Sequence, residues 1–151
     1  MDTTNSPLIL IVDDREDDRL LLERMLRRIG VLNPVCSVSD GHQAVRYFNG
    51  NFPYCDRVQY PVPEILFLDL QMPMVSGREV LDWLHALEFT PRLFTFIYSD
   101  IQNVGQVKEF YRLGADSFLS KPIDEIELRN LITYIPAPWL LQQSQTNVAW
   151  H

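Results

Sequence analysis

Apolar residues in this chain occur as short unbroken runs, separated by stretches in which they recur every three or four positions. Leu8-Ile9-Leu10-Ile11-Val12 and Ile65-Leu66-Phe67-Leu68 are unbroken, as expected of strands buried on both faces of a parallel sheet. Pro34 to Val38, Leu93 to Tyr98 and Ser117 to Leu119 read as three further strands. Helical spacing lies between them. Leu20, Leu21, Leu22, Met25, Leu26 and Ile29 form one inward stripe, with Asp14 as its cap, acids Glu16, Asp17 and Asp18 in its first turn and Gly30 at its end. Ala44, Val45, Tyr47 and Phe48 lie between Asp40-Gly41 and Asn49-Gly50. Ser76-Gly77 opens a third helix with Val80, Leu81, Trp83, Leu84 and Leu87 inward, and Pro91 separates it from the next strand. Val104, Val107, Phe110, Tyr111 and Leu113 mark a fourth helix, closing at Gly114. A start near Asp124 leads into a fifth, with Ile126, Leu128, Leu131 and Ile132 inward. Five strands alternating with five helices predict an α/β fold: a doubly wound parallel sheet with helices on both faces.

Two segments fall outside this rhythm. Asn51 to Pro63 holds three prolines and three aromatic residues without a period, and reads as a long surface loop. Residues 136–151 carry two prolines, polar residues and the tryptophans Trp139 and Trp150. The expected organisation is one domain over 1–135, followed by a tail that forms no domain of its own and carries no fused effector. No internal repeat is visible.

Composition narrows the function. At 151 residues, with 46% hydrophobic and 22% charged residues, the chain suits one globular domain with a full core. The net charge of -7 opposes nonspecific binding to nucleic acid or to an anionic membrane. Cys36 and Cys55 form no CxxC pair, and His42, His85 and His151 are scattered, so reduced thiols in a cytoplasmic protein are expected. The start lacks a basic n-region, and Leu8 to Val12 is too short for a signal or a span.

The strand ends carry the chemistry. The first strand runs into Asp13-Asp14, the third into Asp69, the fourth into Tyr98-Ser99-Asp100 and the fifth into Ser120-Lys121-Pro122. Open α/β sheets bind ligands at this carboxyl edge. Three carboxylates delivered there by buried strands call for a bound cation, and hard oxygen donors suit Mg²⁺. With a metal relieving the repulsion, one carboxylate is free to attack phosphorus, while an ammonium and a hydroxyl receive phosphoryl oxygens.

Asp13-Asp14, the segment LFLDLQMPMVSG from Leu66 to Gly77, Ser99 and Lys121-Pro122 together resemble the response-regulator receiver domain of two-component signalling. The resemblance covers about residues 8–134, with Ser99 lying 30 residues after Asp69 and Lys121 lying 22 after Ser99. It implies a flavodoxin-like strand order, 2-1-3-4-5, and Asp69 as phosphoacceptor. Asp14, Asp69 and the backbone carbonyl of Gln71 would ligate Mg²⁺ directly, and Asp13 through a water. Ser99 would move toward the phosphoryl group, with Phe118 rotating inward and Lys121 pairing with the charge. That coupled motion would remodel the surface of the fourth helix, fifth strand and fifth helix. The implied donor is a histidine kinase or a phosphotransfer protein, and the output is contact with a downstream protein target, with no direct nucleic-acid or membrane binding. The apolar-rimmed surface of the fourth and fifth helices leaves room for a homodimer. The loop before the third strand is similar to that of single-domain receivers paired with bacterial photoreceptor kinases.

Asp100 departs from the family pattern, which usually has a small residue after the switch hydroxyl. Pointing inward, it would narrow the phosphoryl pocket and repel a donor. Pointing to solvent, it would cap the next helix, and the helix start expected there favours this reading. Tyr98, just before the switch, is bulky and is expected to face a helix. Two rival functions remain at this stage. An aspartyl-phosphate phosphatase of the haloacid-dehalogenase type needs a second acid two residues after its nucleophile, where this chain has Gln71. A pseudo-receiver acting as a constitutive interaction module has Asp100 as its only support.

Overall fold

The structure is a computed structural model and describes residues 6–87, 92–100 and 104–143. Its elements alternate as β1 (Leu8–Val12), α1 (Glu16–Arg28), β2 (Val35–Val38), α2 (Gly41–Asn49), β3 (Pro63–Leu68), α3 (Gly77–Ala86), β4 (Phe94–Ser99), α4 (Val104–Arg112), β5 (Ser117–Ser120) and α5 (Glu125–Tyr134). The five strands form one parallel sheet in the order β2-β1-β3-β4-β5. The expected doubly wound, flavodoxin-like architecture is therefore observed.

Strand alternation explains why the central strands are apolar at every position. Leu8, Leu10 and Val12 of β1 and Leu66 and Leu68 of β3 pack with Ala44, Tyr47, Val80, Leu84 and Phe110 of α2, α3 and α4. Ile9, Ile11, Ile65 and Phe67 face the other way, onto Leu22 and Leu26 of α1 and Leu128 and Leu131 of α5. Each strand thus feeds two cores. No described helix is long and apolar enough to cross a membrane.

Several helix starts and stops are as expected. Asp40, Ser76 and Asp124 each accept a backbone N–H from the first turn of their helices, and Ser76 with Glu79 completes a capping box. Gly50 ends α2 at a φ of 68°, in the left-handed region that favours glycine. α1 corrects one expectation. Its N-cap is Arg15, with no side-chain cap; Asp14 is exposed, and it is the buried Asp13 that accepts the Arg15 amide, through Oδ1 at 2.9 Å.

The buried faces of the helices are narrower than the apolar pattern predicts. Leu20 and Leu21 are 42% and 44% exposed, Ile126 is 65% exposed, and Leu87 and Tyr111 also face solvent. A surface helix buries a stripe roughly 100° wide, so consecutive apolar residues cannot all meet the sheet. The 51–63 segment ends where Pro63 enters β3, and it is fastened to α2. Tyr54 and Tyr60 pack tilted and edge-on against Tyr47, with ring centroids 5.0 and 5.9 Å from it, and Arg57 Nη2 donates to the Phe48 carbonyl at 2.8 Å. Expectations placed on Met1 to Asn5, Pro91, the Val104 side chain, Trp150 and His151 lie outside the described residues.

Candidate functional site

Two backbone hydrogen bonds fix the acidic edge. Asp13 N donates to Val38 O at 3.2 Å and Asp69 N to Val12 O at 2.9 Å, carrying the sheet ladder one residue past the ends of β1 and β3. Asp13, Asp14 and Asp69 consequently converge, each offering a carboxylate oxygen within 4.8 Å of the others. Asp13 and Asp69 are buried, at 0% and 3% exposure, and Asp14 is open to solvent.

Lys121, one residue past β5, reaches across the sheet into this cluster. Its Nζ lies 2.8 Å from Asp13 Oδ2, 3.0 Å from Asp18 Oδ2 and 3.4 Å from Asp69 Oδ2. Its own amide donates to the Ser99 carbonyl at 3.0 Å, so the ends of β4 and β5 are pinned together. Ser99 is fully buried at the end of β4. Phe118 lies half-buried in β5, opposite Ile97 and against the core beneath α4. Gln71 N donates to Asp69 Oδ1 at 3.2 Å, and the Gln71 side chain is exposed. Asp100 is exposed, as its solvent-facing reading requires; the helix start that it was to cap lies outside the described residues.

Gly77 explains how the acceptor strand and α3 come so close. A Cβ built there would sit 1.9 Å from the Asp69 carbonyl oxygen, so only glycine fits between α3 and the residue that bears the buried acid.

Burial and charge set the acids apart. Burial pushes Asp69 up to about 6; the Gln71 amide and Lys121 pull the other way, and Asp13 adds to the rise. Burial also opposes ionisation of Asp13, but hydrogen bonds from Lys121, the Arg15 amide and Tyr98 outweigh it and hold the carboxyl below the usual range. Burial would lower Lys121, yet its bonds to Asp13 and Asp18 and its attraction to Asp69 raise it. Three carboxylates, Asp13, Asp18 and Asp69, share this one ammonium, and Asp14 adds another acid beside Asp13 and Asp69. The excess negative charge, the hard oxygen donors and the incompletely stabilised Asp69 all fit a divalent cation such as Mg²⁺.

The model of the response regulator receiver domain matches residues 9–133. The chain belongs to that family. This receiver is 26% identical over 140 residues to the response regulator Rcp1 of Synechocystis sp., covering 92% of this chain and 93% of that one. It is 28% identical over 130 residues to sporulation initiation phosphotransferase F of Bacillus subtilis, covering 85% and 93%. Among solved structures it is similar to the response regulator RPA3017 in red light signaling of R. palustris, with a TM-score of 0.76, 28% identity and 91% and 99% of the two chains covered. Receivers are the phosphorelay modules of two-component systems and bind Mg²⁺ at an acidic pocket; this one has an acidic cluster of Asp13, Asp14 and Asp69.

Two residues of this receiver's pocket escaped sequence reasoning. Tyr98 was expected to face a helix and does so with its ring, but its hydroxyl donates to Asp13 Oδ2 at 2.9 Å. Asp18, taken as a first-turn helix acid, also binds Lys121. A signal existed for Tyr98, since a buried tyrosine needs a partner for its hydroxyl. None existed for Asp18.

Proposed function

We propose that this chain is a phosphorylation switch, with Asp69 accepting a phosphoryl group from a histidine kinase or a histidine phosphotransfer protein. The observation that carries the reading is the convergence of Asp13, Asp14 and Asp69 with Lys121 at the carboxyl edge of the sheet. Mg²⁺ would be held by Asp14, Asp69 and the backbone carbonyl of Gln71, with Asp13 acting through a water; its charge offsets the repulsion among the acids and the phosphoryl oxygens.

An Asp69 carboxylate oxygen attacks phosphorus, the bond from phosphorus to the donor imidazole breaks, and the imidazole leaves with the electron pair. Lys121 exchanges its bonds with Asp13 and Asp18 for one to a phosphoryl oxygen, and the Ser99 hydroxyl donates to another. Phe118 turns inward as Ser99 moves, so the exposed surface of α4, β5 and α5 differs between the two states. The protein is then a cytoplasmic switch rather than an enzyme with its own substrate, turning over only its own acyl phosphate. It reads out through protein contacts, with no nucleic acid or membrane bound directly, and the α4–β5–α5 surface is where a downstream target or a second copy would bind. The likeness to a red-light response regulator supports a photoreceptor kinase as the donor. The phosphatase alternative lacks its second acid at Gln71, and the exposure of Asp100 supports its solvent-facing reading over the inward one that favoured a pseudo-receiver.

The test is to incubate the protein with Mg²⁺ and acetyl phosphate and to resolve the product on a phosphate-affinity gel. An acid-stable, alkali-labile shifted band is expected in the wild type, and none in Asp69→Asn. An unshifted wild type, with no beryllofluoride-dependent spectral change either, would sink the reading.

A further inference from the structure

Asp13 presents a problem that Lys121 cannot solve alone. Its carboxylate is fully buried, and Oδ1 is satisfied by the Arg15 amide. Oδ2 takes the Lys121 ammonium at 2.8 Å, but that ammonium is shared with Asp18 and Asp69 and is the group that must turn to a phosphoryl oxygen. A buried carboxylate oxygen left without its donor is strongly unfavourable.

The remaining partner of Oδ2 is Tyr98. Its ring is fully buried in β4, on the face shared with Phe67 and Phe96, and its hydroxyl reaches up to the acid edge at 2.9 Å. Lys121 Nζ sits 4.8 Å from the ring centroid, on its face. Phenylalanine would supply the same apolar contacts without placing a polar atom in the core. The hydroxyl is therefore spent on Asp13. Unlike Lys121, which is shared among three acids, it is carried by a fully buried strand residue, and it is neutral, so it orients the carboxylate without cancelling the negative charge that attracts a cation.

We infer that Tyr98 is a positioning residue of the metal site: its hydroxyl locks the Asp13 carboxylate in the orientation that holds the water of a bound divalent cation. This rests on the reading of the acid cluster as a divalent-cation site. Donors that orient a ligand set from behind typically account for about 10- to 100-fold in metal affinity.

The experiment measures Mn²⁺ affinity from the free-ion electron paramagnetic resonance signal, for wild type, Tyr98→Phe, Asp13→Asn and the double variant. Metal-free circular dichroism and thermal unfolding are run on each. The expected result is a dissociation constant raised about tenfold in Tyr98→Phe, and no further rise when the same change is made in Asp13→Asn. A purely structural tyrosine would lower the melting temperature and weaken Mn²⁺ equally in both backgrounds. Wild-type binding with Tyr98→Phe within twofold of it, or a loss that persists in the Asp13→Asn background, would overturn the assignment and leave the phosphorylation switch standing. A wild type that binds no Mn²⁺ would overturn both.

Discussion

Asp69 keeps its proton to about pH 6 where an unburied aspartate releases it near 3.8, and that difference has a sign that can be measured. Below about pH 4 the carboxyl is protonated in the folded and unfolded chains alike. Between pH 4 and 6 only the folded chain holds the proton, and above 6 both forms are ionised, so stability present in acid is lost as pH rises through 6. Asp69→Asn carries no charge and retains an oxygen for the Gln71 amide. In EDTA it is expected to melt above the wild type at pH 7.5, with the gap closing between pH 6 and 4. Asp13 behaves oppositely. Its folded carboxyl is held below the usual range, so its stabilisation is present above about pH 4 and is lost as pH falls, and Asp13→Asn is expected to melt below the wild type at neutral pH. Thermal unfolding across pH 4–8 checks both, and an Asp69→Asn protein no more stable than wild type at pH 7.5 refutes the first. Adding Mg²⁺ is expected to reverse the order by mass action, stabilising the wild type by about 1.4 kcal/mol for each tenfold excess over its dissociation constant and Asp69→Asn far less. At this scale Asp13 and Asp69 were legible because each directly follows an apolar strand, and Lys121 because it stands before Pro122 at the end of a strand. Tyr98 was not, because its hydroxyl reaches the edge from inside a core, across β3 to the end of β1, along a path that only the assembled sheet defines.

Elements were legible in proportion to how strongly one local rule governs them. The unbroken runs of β1 and β3 and the caps at Asp40, Ser76 and Asp124 depend on neighbouring residues alone, and they were found where expected. Which side of a helix meets the sheet is a tertiary choice, so Leu20, Leu21 and Ile126 were misplaced. α1 has Arg15 rather than Asp14 as its N-cap, a shift of one residue of the size by which helix ends ordinarily vary. The junction between β3 and α3 joins element to function. Ser76→Ala removes one side of the capping box, and is expected to lower stability by about 1 kcal/mol without changing metal affinity. Gly77→Ala should do both. Alanine in a helix is ordinarily favourable by roughly 0.5–1 kcal/mol over glycine, but here its Cβ would press on the Asp69 carbonyl from 1.9 Å. Relief requires α3 or the acceptor residue to shift, a strain of about 1–3 kcal/mol. Gly77→Ala is therefore expected to be destabilised in urea titrations and to bind Mn²⁺ more weakly, whereas Ser76→Ala shows only the first effect.

The molecule as a whole has a second organising point at the opposite edge of the sheet, where the strands begin. Asn33 is fully buried there. Its Nδ2 donates to the carbonyls of Pro7 and Pro138, at 2.8 and 3.1 Å, and its Oδ1 accepts from Leu140 N at 2.7 Å. One side chain thus ties the entry to β1 and the turn before β2 to the segment after α5. That segment is also paired through Leu32 N to Leu140 O and Gln142 N to Gly30 O, at 2.7 and 2.6 Å, and Trp139 stacks on Phe96 with centroids 5.7 Å apart. Asn33→Ala leaves a part-buried carbonyl or amide without its partner at each of three contacts, and such groups cost about 1–3 kcal/mol apiece when fully buried and unpaired. Water entering the loosened edge will recover part of this, so a net loss of about 2–4 kcal/mol in urea unfolding is expected. The amides of Leu32, Leu140 and Gln142 should lose hydrogen-exchange protection first. Mn²⁺ affinity and Asp69 phosphorylation should stay at wild-type levels below the melting transition, because the acids hang from the other ends of β1 and β3, held by bonds among Val12, Val38, Asp13 and Asp69 that Asn33 does not touch. A folded Asn33→Ala protein with weakened metal binding would show that the two edges are coupled through the sheet, contrary to this account.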